Sequence, residues 1–296
     1  MGKEKIFARD LSGSEAQMGK RALLALEDDS KSDITTKALE LKGRAKAAIV
    51  AEEQGILCGL VEAMAARGKL QCTCSLKEGD NFAKGSEILL LSGDIKEILR
   101  RERTMLNYLQ LLSGIATQTR SLAERVGRGN VAAIRKNHPL LALSEKRAVQ
   151  VGGGLAHRLN LSDGYLIKNT HLEWLRERGK MRSEEAVKYA VEKAICHRKK
   201  TKKHYFVEVE VTGMDEALAA AITGADAILV DNQTPRRFAH IALSIRKINK
   251  NILIEASGGI TPENAQDYLK AGADFVSLSH LVMRSRPIGM HLKLIP

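Results

Sequence analysis

The chain has 296 residues and a net charge of +12, with 44% hydrophobic and 28% charged residues. This length suggests about two domains, and the composition excludes a disordered chain, a collagen-like chain and a small disulfide scaffold. Eleven aromatic residues (one Trp, five Tyr and five Phe) are too few for a surface that stacks on exposed bases.

The sequence also bears on location. No apolar run reaches the ~18 residues that a membrane span needs, and the charged N-terminus lacks the apolar core of a signal peptide. The four cysteines include no C-x-x-C pair, which favours reduced thiols over a metal or redox centre. We therefore expect a cytoplasmic protein that does not enter a membrane.

The first part of the chain predicts an α+β unit with a small sheet. Helical spacing covers residues 14–28 and 56–67, and strand patterns cover 45–51, 69–75 and 88–92. A long helix is then predicted from Asp94, where Glu97 completes a capping-box-like start. We expect this helix to break near Ser113-Gly114 and a second stretch to run to about Val126.

From Val131 the pattern changes to short apolar strands that alternate with helices. The sequence Gly224-Ala225-Asp226 before one strand recurs as Gly272-Ala273-Asp274 before another, which indicates repeated βα units. Such strands are typical of parallel packing. Six are predicted, against the eight of a closed barrel, so an open barrel is favoured. The predicted strands are 131–134, 164–167, 206–211, 227–230, 252–255 and 275–278.

A glycine turn follows the fifth of these strands. The strand ends at Glu255, Ser257-Gly258-Gly259 makes the turn, and Thr261 and Pro262 suit the start of a helix. Glycines let backbone N–H groups approach a phosphate, and a helix N-terminus adds positive partial charge. The pattern therefore predicts a phosphate site, with an ordinary βα turn as the alternative.

Acidic side chains mark the ends of two neighbouring strands. Glu208 and Glu210 share one strand face, and Asp231 ends the next strand. Acids at the carboxyl ends of barrel strands suit an active site, and two of them can hold Mg²⁺ together with substrate oxygens. The alternative is salt bridging to the surrounding Lys and Arg.

Basic side chains are spread through the middle of the chain at predicted strand ends. If the strands form one barrel, most of these cations converge at one mouth and suit a dianionic or polyphosphorylated substrate. The alternative is a set of separate surface charges, and for Arg103 an exposed helix face is the default. The residues are Arg103, Arg135, Lys136, His157, Arg158 and Lys168. The basic run 197–204 is interpreted as a solvated loop, with a nucleic-acid patch as the alternative.

Ordered motifs extend through most of the chain. They are residues 55–59 (GILCG), 102–107 (ERTMLN), 112–117 (LSGIAT), Arg135-Lys136, 152–158 (GGGLAHR), 166–168 (LIK) with His171, 208–211 (EVEV), Asp231-Asn232 and 257–259 (SGG). In these motifs the chain resembles the quinolinate phosphoribosyltransferase family (nicotinate-nucleotide pyrophosphorylase, decarboxylating). Several motifs in the family's order are far more specific than one glycine loop.

The resemblance implies an α/β fold of the type II phosphoribosyltransferase kind. An N-terminal α/β sandwich domain, residues 1–112 joined by 280–296, would accompany an open, incomplete α/β barrel over 113–279. It further implies a homodimer or a higher oligomer in which one subunit's N-terminal domain closes the partner's barrel. No nucleic acid and no membrane are expected as partners.

The resemblance also implies a reaction. Quinolinate and 5-phosphoribosyl-1-pyrophosphate would give nicotinate mononucleotide, pyrophosphate and CO₂, with Mg²⁺ as cofactor. Lys136, Glu210 and Asp231 would be catalytic, and Glu210 and Asp231 would serve the metal. The substrate-binding set would be Arg103, Arg135, Lys136, His157, Arg158, Lys168, Ser257, Gly258, Gly259 and Ser279.

Three places differ from the family pattern: residues 134–140 (IRKNHPL), residues 168–171 (KNTH), and Ser279, which stands where the family has glycine. A related transferase that acts on another aromatic acid is therefore the first alternative. A non-catalytic binding or regulatory protein on the same fold is the second. Retention of Glu210 and Asp231 favours catalysis, because a sensor has less need of both acids.

Overall fold

The computed structural model describes Phe7 and residues 11–201 and 205–296. The helices are α1 (Glu15–Asp29), α2 (Ile34–Ala38), α3 (Leu60–Ala66), α4 (Ile95–Val126), α5 (Ala142–Gly152), α6 (Asn169–Gly179), α7 (Ser183–Thr201), α8 (Met214–Thr223), α9 (Pro235–Ile248), α10 (Ala265–Lys270) and α11 (His280–Met283). The strands are β1 (Arg44–Ala51), β2 (Gly55–Ile56), β3 (Gln71–Thr73), β4 (Asn81–Phe82), β5 (Glu87–Asp94), β6 (Val131–Ala133), β7 (Tyr165–Ile167), β8 (Val207–Val211), β9 (Ala227–Asp231), β10 (Leu253–Ser257), β11 (Phe275–Leu278) and β12 (Met290–Ile295).

The described residues form two compact units, which we call the sandwich unit (residues 11–121, 136–154 and 281–296) and the barrel unit (Phe7 and residues 122–135 and 155–280). Among the described helices, none has the length and apolarity that a bilayer span requires.

The sandwich unit contains an antiparallel sheet in the order β12-β1-β5-β3. Apolar side chains of β1 and β5 share one buried cluster with α1, α3 and α4, for example Ile49, Leu89, Leu26, Ala63 and Met105. The predicted strands at 45–51, 69–75 and 88–92 are thereby confirmed. The edge strand β12 was not predicted, although its pairing with β1 runs from Ala51↔Met290 to Lys46↔Ile295.

The barrel unit contains a parallel sheet in the order β6-β11-β10-β9-β8-β7. All six predicted strands are present. In the described residues β6 and β7 do not pair with each other, so the barrel is open, as expected from the strand count. Its interior holds an apolar cluster that includes Phe7, Phe206, Leu253 and Phe275.

The sequence repeat corresponds to a repeated hydrogen-bond device. Asp226 accepts the N–H of Val207 at the start of β8 (2.7 Å) and pairs with Arg198 of α7. Asp274 accepts the N–H of Ile254 in β10 (2.7 Å) and pairs with Arg246 of α9 (2.5 Å). Each aspartate therefore joins a helix to the start of a neighbouring strand.

The predicted break near Ser113-Gly114 is wrong, because α4 is continuous from Ile95 to Val126. The Ser113 hydroxyl accepts the N–H of Cys58 (3.1 Å) and donates to the Cys58 carbonyl (3.0 Å). A Cβ on Gly114 would lie 2.2 Å from the carbonyl oxygen of Arg286. These two residues are thus small or polar for packing reasons, and they do not end the helix.

The interpretation of residues 197–204 as a loop is also wrong for its first part. Residues 197–201 complete α7, where basic side chains favour a helix C-terminus. Residues 202–204 lie outside the described residues.

The repeated aspartates give a stability prediction. Replacing Asp226 or Asp274 by Ala removes one charge-assisted contact and leaves a strand N–H without its acceptor, so we expect a loss of about 1–3 kcal/mol in the free energy of unfolding. Urea denaturation measures this change, with Glu192→Gln on the exposed face of α7 as the charge-removal control. Equal stability of the aspartate variants and the control would contradict the role of the repeat.

Candidate active site

A cleft in the barrel unit lies at the carboxyl ends of β6 and β7. Arg135 follows β6, Lys168 follows β7, and Arg158 comes from the segment between these strands. The cleft has a volume of ≈610 Å³. That size is within the range of about 300–1,000 Å³ typical of small-molecule sites. Three of the predicted cations therefore meet at one opening, as the barrel hypothesis requires.

Arg158 is the most buried of these cations, with 4% of its surface exposed. Its Nε has no hydrogen-bond partner among the described residues, and its Nη1 lies 3.5 Å from the carbonyl oxygen of Gly164. Burial and the nearby Arg135 lower the pKa of Arg158, while Glu208 and Asp163 oppose that effect. A buried guanidinium with an unused donor beside a second cation is complementary to a carboxylate or a phosphate.

The predicted acid pair lies beside these cations. Burial raises the pKa of Glu210, and the adjacent Asp231 raises it further, while Lys168 and the N–H of Asn169 act in the opposite direction. The Glu210 carboxylate faces the backbone N–H of Asn169, the first residue of α6. Asp231 accepts a hydrogen bond from the side chain of Asn232 (2.6 Å). Two carboxylates that repel each other at a cleft are a suitable oxygen donor set for a divalent cation.

The glycine turn has the conformation that glycine favours. Gly258 has φ +80° and Gly259 has φ +63°, and a Cβ on Gly258 would lie 2.4 Å from Oδ1 of Asn232. The Ser257 carbonyl accepts the N–H of Asn232 (3.0 Å), which joins this turn to the end of β9. The turn therefore lies beside Asp231.

The expected helix start at Thr261-Pro262 is wrong. The N–H of Thr261 donates to Oδ1 of Asn264 (2.8 Å) in a turn, and α10 begins only at Ala265. The helix has six residues and does not follow the turn directly, so its N-terminus is not next to the turn. The glycine turn itself is therefore the feature that suits a phosphate.

His157 is 5% exposed and does not line the cleft. Its Nε2 lies 3.1 Å from a carboxylate oxygen of Glu208 and 3.1 Å from one of Glu255. Its Nδ1 accepts the backbone N–H of Arg158 (2.8 Å), and the Ser277 hydroxyl donates to the other oxygen of Glu255. The predicted substrate ligand is therefore part of a buried polar cluster.

Burial raises the pKa of Glu208 to about 8. Burial acts in the same direction on Glu255, but the His157 imidazole and the Ser277 hydroxyl outweigh it and lower the pKa of Glu255. Burial lowers the pKa of His157, but the carboxylates of Glu208 and Glu255 raise it by more, so the net effect is an increase to about 9. The Arg158 N–H opposes a second proton on the ring, because it uses the Nδ1 lone pair.

The other predicted residues lie outside this group. Lys136 and Arg103 belong to the sandwich unit, where both are exposed, and Arg103 lies on α4. Ser279 follows β11 directly. Sequence reasoning missed Glu255, Ser277 and Phe7. Glu255 stands two residues before the glycine turn, but its partner His157 is distant in sequence, and no local pattern pairs them.

The chain is similar to known families and proteins over most of its length. Residues 33–113 match the model described as quinolinate phosphoribosyl transferase, N-terminal domain, and residues 115–293 match the corresponding C-terminal domain. A probable nicotinate-nucleotide pyrophosphorylase (carboxylating) of Methanothermobacter thermautotrophicus is 37% identical over 88% of this chain and 93% of its own length. The human nicotinate-nucleotide pyrophosphorylase (carboxylating) is 30% identical over 85% of this chain and 83% of its own length.

Solved structures show the same fold. The nicotinate-nucleotide pyrophosphorylase of Francisella tularensis superposes with a TM-score of 0.81 at 28% identity and covers 95% of this chain and 97% of its own. The predicted α/β fold with an open barrel is therefore confirmed by a solved relative as well as by the strand order.

The strained acid pair gives a second prediction. We expect Glu210→Gln to raise the melting temperature at pH 7 without divalent cations. Burial and the charge of Asp231 make the ionised form of Glu210 unfavourable in the folded state, and Gln carries no charge. A raised folded-state pKa means that this cost develops as pH rises above the ordinary value of 4.5 and is absent in acid. Differential scanning calorimetry at pH 7 and near pH 4 measures both effects.

Glu192→Gln is the matched control, since Glu192 is exposed on α7. A melting temperature that Glu210→Gln leaves unchanged or lowers at pH 7 would show that the acid pair is not under electrostatic strain.

Proposed function

The chain belongs to the quinolinate phosphoribosyl transferase family, and we propose that it transfers phosphoribosyl from 5-phosphoribosyl-1-pyrophosphate to quinolinate with loss of CO₂. The products are nicotinate mononucleotide, pyrophosphate and CO₂. The single observation that carries this proposal is the cleft in which Arg135, Arg158 and Lys168 face one opening beside Glu210 and Asp231.

The cations match the acceptor. Quinolinate has two adjacent carboxylates on a pyridine ring, and planar guanidinium groups bind carboxylates through paired hydrogen bonds. Arg158 offers a buried donor with no other partner among the described residues, and Lys168 adds an exposed ammonium group. A monocarboxylate leaves part of this positive charge unpaired, so the cleft favours the dicarboxylate.

The acids match the donor. The pyridine nitrogen forms a bond to C1 of the ribose as the bond from C1 to pyrophosphate breaks, and positive charge develops on the sugar ring. Glu210 and Asp231 are carboxylic groups that the fold holds close together, and their negative charge stabilises the charge that develops on the sugar. Lys168 neutralises the departing pyrophosphate. The second step breaks the bond to the 2-carboxylate, and the cationic ring takes up the electron pair and then a proton.

Mg²⁺ is the cofactor that these residues fit. Glu210 and Asp231 offer hard oxygen donors, and the pKa of Glu210, raised by burial and by Asp231, indicates negative charge in need of a counterion. When bound, Mg²⁺ supplies neutralisation of the pyrophosphate oxygens. The turn at Ser257, Gly258 and Gly259, next to Asp231 through Asn232, is proposed to hold the 5-phosphate, with Ser279 as a further contact.

We further propose that the protein is a homodimer and that Arg103 completes the partner's site. Arg103 is exposed on α4 and belongs to the sandwich unit, whereas the cleft belongs to the barrel unit. A cytoplasmic location is proposed because the four cysteines are free thiols, which suit a reducing compartment.

Turnover of the purified protein tests the reaction. With 5-phosphoribosyl-1-pyrophosphate and Mg²⁺, we expect nicotinate mononucleotide and CO₂ from quinolinate and no product from nicotinate. Lys168→Ala should lower kcat/KM for quinolinate about 10- to 100-fold, because a charged contact to the substrate is lost. Chromatography of the nucleotide and trapping of labelled CO₂ measure both.

Lys193→Ala on α7 is the control for removal of a lysine away from the cleft. Turnover of another aromatic acid without quinolinate activity would move the assignment to the related transferase. A folded protein silent with every acid would favour the non-catalytic alternative.

Mixing variants tests the shared site. Arg103→Ala and Arg158→Ala homodimers should each be nearly inactive. Random exchange of subunits at equal concentration gives heterodimers with one intact site, so activity should return to about a quarter of the wild-type level. Continued inactivity of the mixture, in which mass spectrometry detects heterodimers, would show that Arg103 does not act across subunits.

A further inference from the structure

We propose that His157 is a positioning residue, held by Glu255 and Ser277, that aims Arg158 into the cleft and does not itself bind substrate. The role of Arg158 toward a dicarboxylate rests on the proposed function, whereas the contacts of His157 are those of the structure.

Within the described residues, both nitrogens of the imidazole already have polar neighbours, so neither is left to bind a ligand. Nε2 lies against the carboxylates of Glu208 and Glu255, and Nδ1 accepts the N–H of Arg158. Aromatic rings also pack against the imidazole. Phe7 stacks on the imidazole with ring centroids 4.4 Å apart and an angle of 17°, and Phe206 packs edge-on at 5.9 Å. A substrate would have to displace these contacts to reach the ring.

The backbone at His157 is left-handed, with φ +52°. An L-residue adopts this conformation at a cost in free energy, and it persists only where the surroundings enforce it. It brings the N–H of Arg158 onto the imidazole of the residue before it, at 2.8 Å. The side chain of His157 thus stabilises the backbone turn that precedes Arg158.

Hydrogen bonds connect His157 to two strands of the sheet. The hydroxyl of Ser277 on β11 donates to Glu255 on β10, and Glu255 accepts from Nε2 of His157 at 3.1 Å. The side chains are buried, with 3% of Ser277 and none of Glu255 exposed. Two strands of the sheet therefore fix the imidazole, and the imidazole fixes the backbone of a cleft residue. Such supporting contacts are what hold a binding group in its working geometry.

A double-mutant cycle on kcat/KM for quinolinate tests this inference. Arg158→Ala is expected to lower kcat/KM about 100-fold and His157→Ala about 30-fold, mostly through KM. If His157 acts through Arg158, the double variant should be no worse than Arg158→Ala alone. Multiplication of the two effects would overturn the inference, because it would show that His157 makes its own contribution to substrate binding.

His157→Asn is the conservative variant. Asn tolerates the left-handed conformation, and its side-chain oxygen can accept the Arg158 N–H in place of Nδ1. We expect it to recover most of the activity that His157→Ala loses. Ser277→Ala should raise KM for quinolinate a few-fold, and Ser244→Ala, at an exposed hydroxyl on α9, should not change it. Failure of Asn to recover more than Ala would contradict the acceptor role of Nδ1.

Crystal structures of the variants separate this inference from the proposed reaction. Without any substrate, the Arg158 side chain should leave its place in the cleft in His157→Ala and keep it in His157→Asn. An unmoved Arg158 in His157→Ala would overturn the inference even if quinolinate is turned over, while lack of turnover by the wild type would contradict only the proposed function. Metal analysis is the last check, because stoichiometric Zn²⁺ bound by His157, Glu208 and Glu255 would also overturn it.

Discussion

Parallel strands of one sheet end at one edge, and this constraint places the charged groups of the barrel unit together. Arg135, Lys168, Glu210 and Asp231 stand at or directly after the ends of β6, β7, β8 and β9. None of these side chains is close to the next in sequence, and only the shared sheet brings them to one edge, where Arg135 and Lys168 line the cleft. The chemistry of the site follows from the resulting mixture of cations and acids.

The positive charges of the cleft are partly balanced by buried carboxylates of the barrel unit. Burial and Arg135 lower the pKa of Arg158, and the carboxylate of Glu208 raises it. His157 faces both Glu208 and Glu255, and Ser277 donates a hydrogen bond to Glu255. The Glu208 oxygens have no hydrogen-bond partner among the described residues, so a change at His157, Glu255 or Ser277 is the one expected to affect the cleft.

Much of the fold could be predicted from the sequence, because its signals are local. The six barrel strands are apolar runs between glycines and helices, and the strand ends Glu210 and Asp231 follow from them. The edge strand β12 could not be predicted, since its pairing with β1 joins segments at opposite ends of the chain. Ser113-Gly114 has the composition of a helix break, yet its role depends on Cys58 and Arg286, which are distant in sequence.

The candidate site was predictable to a similar degree. Strand ends and the family resemblance indicated which charged residues belong to the site. They did not distinguish the residues that line the cleft from those that are buried behind it. His157 illustrates the difference, because its neighbour Arg158 lines the cleft while the imidazole itself is buried against Glu255. That distinction depends on a left-handed backbone and on a contact between residues about a hundred positions apart.

We propose that the cationic cleft is complementary to an aromatic acid with two adjacent carboxylates. Calorimetric titration of the protein with quinolinate and with nicotinate, under identical salt and pH, measures this most directly. We expect quinolinate to bind at least about 10-fold more tightly, since its second carboxylate engages a charged donor that nicotinate leaves unpaired. Equal affinities for the two acids, or tighter binding of nicotinate, would contradict it.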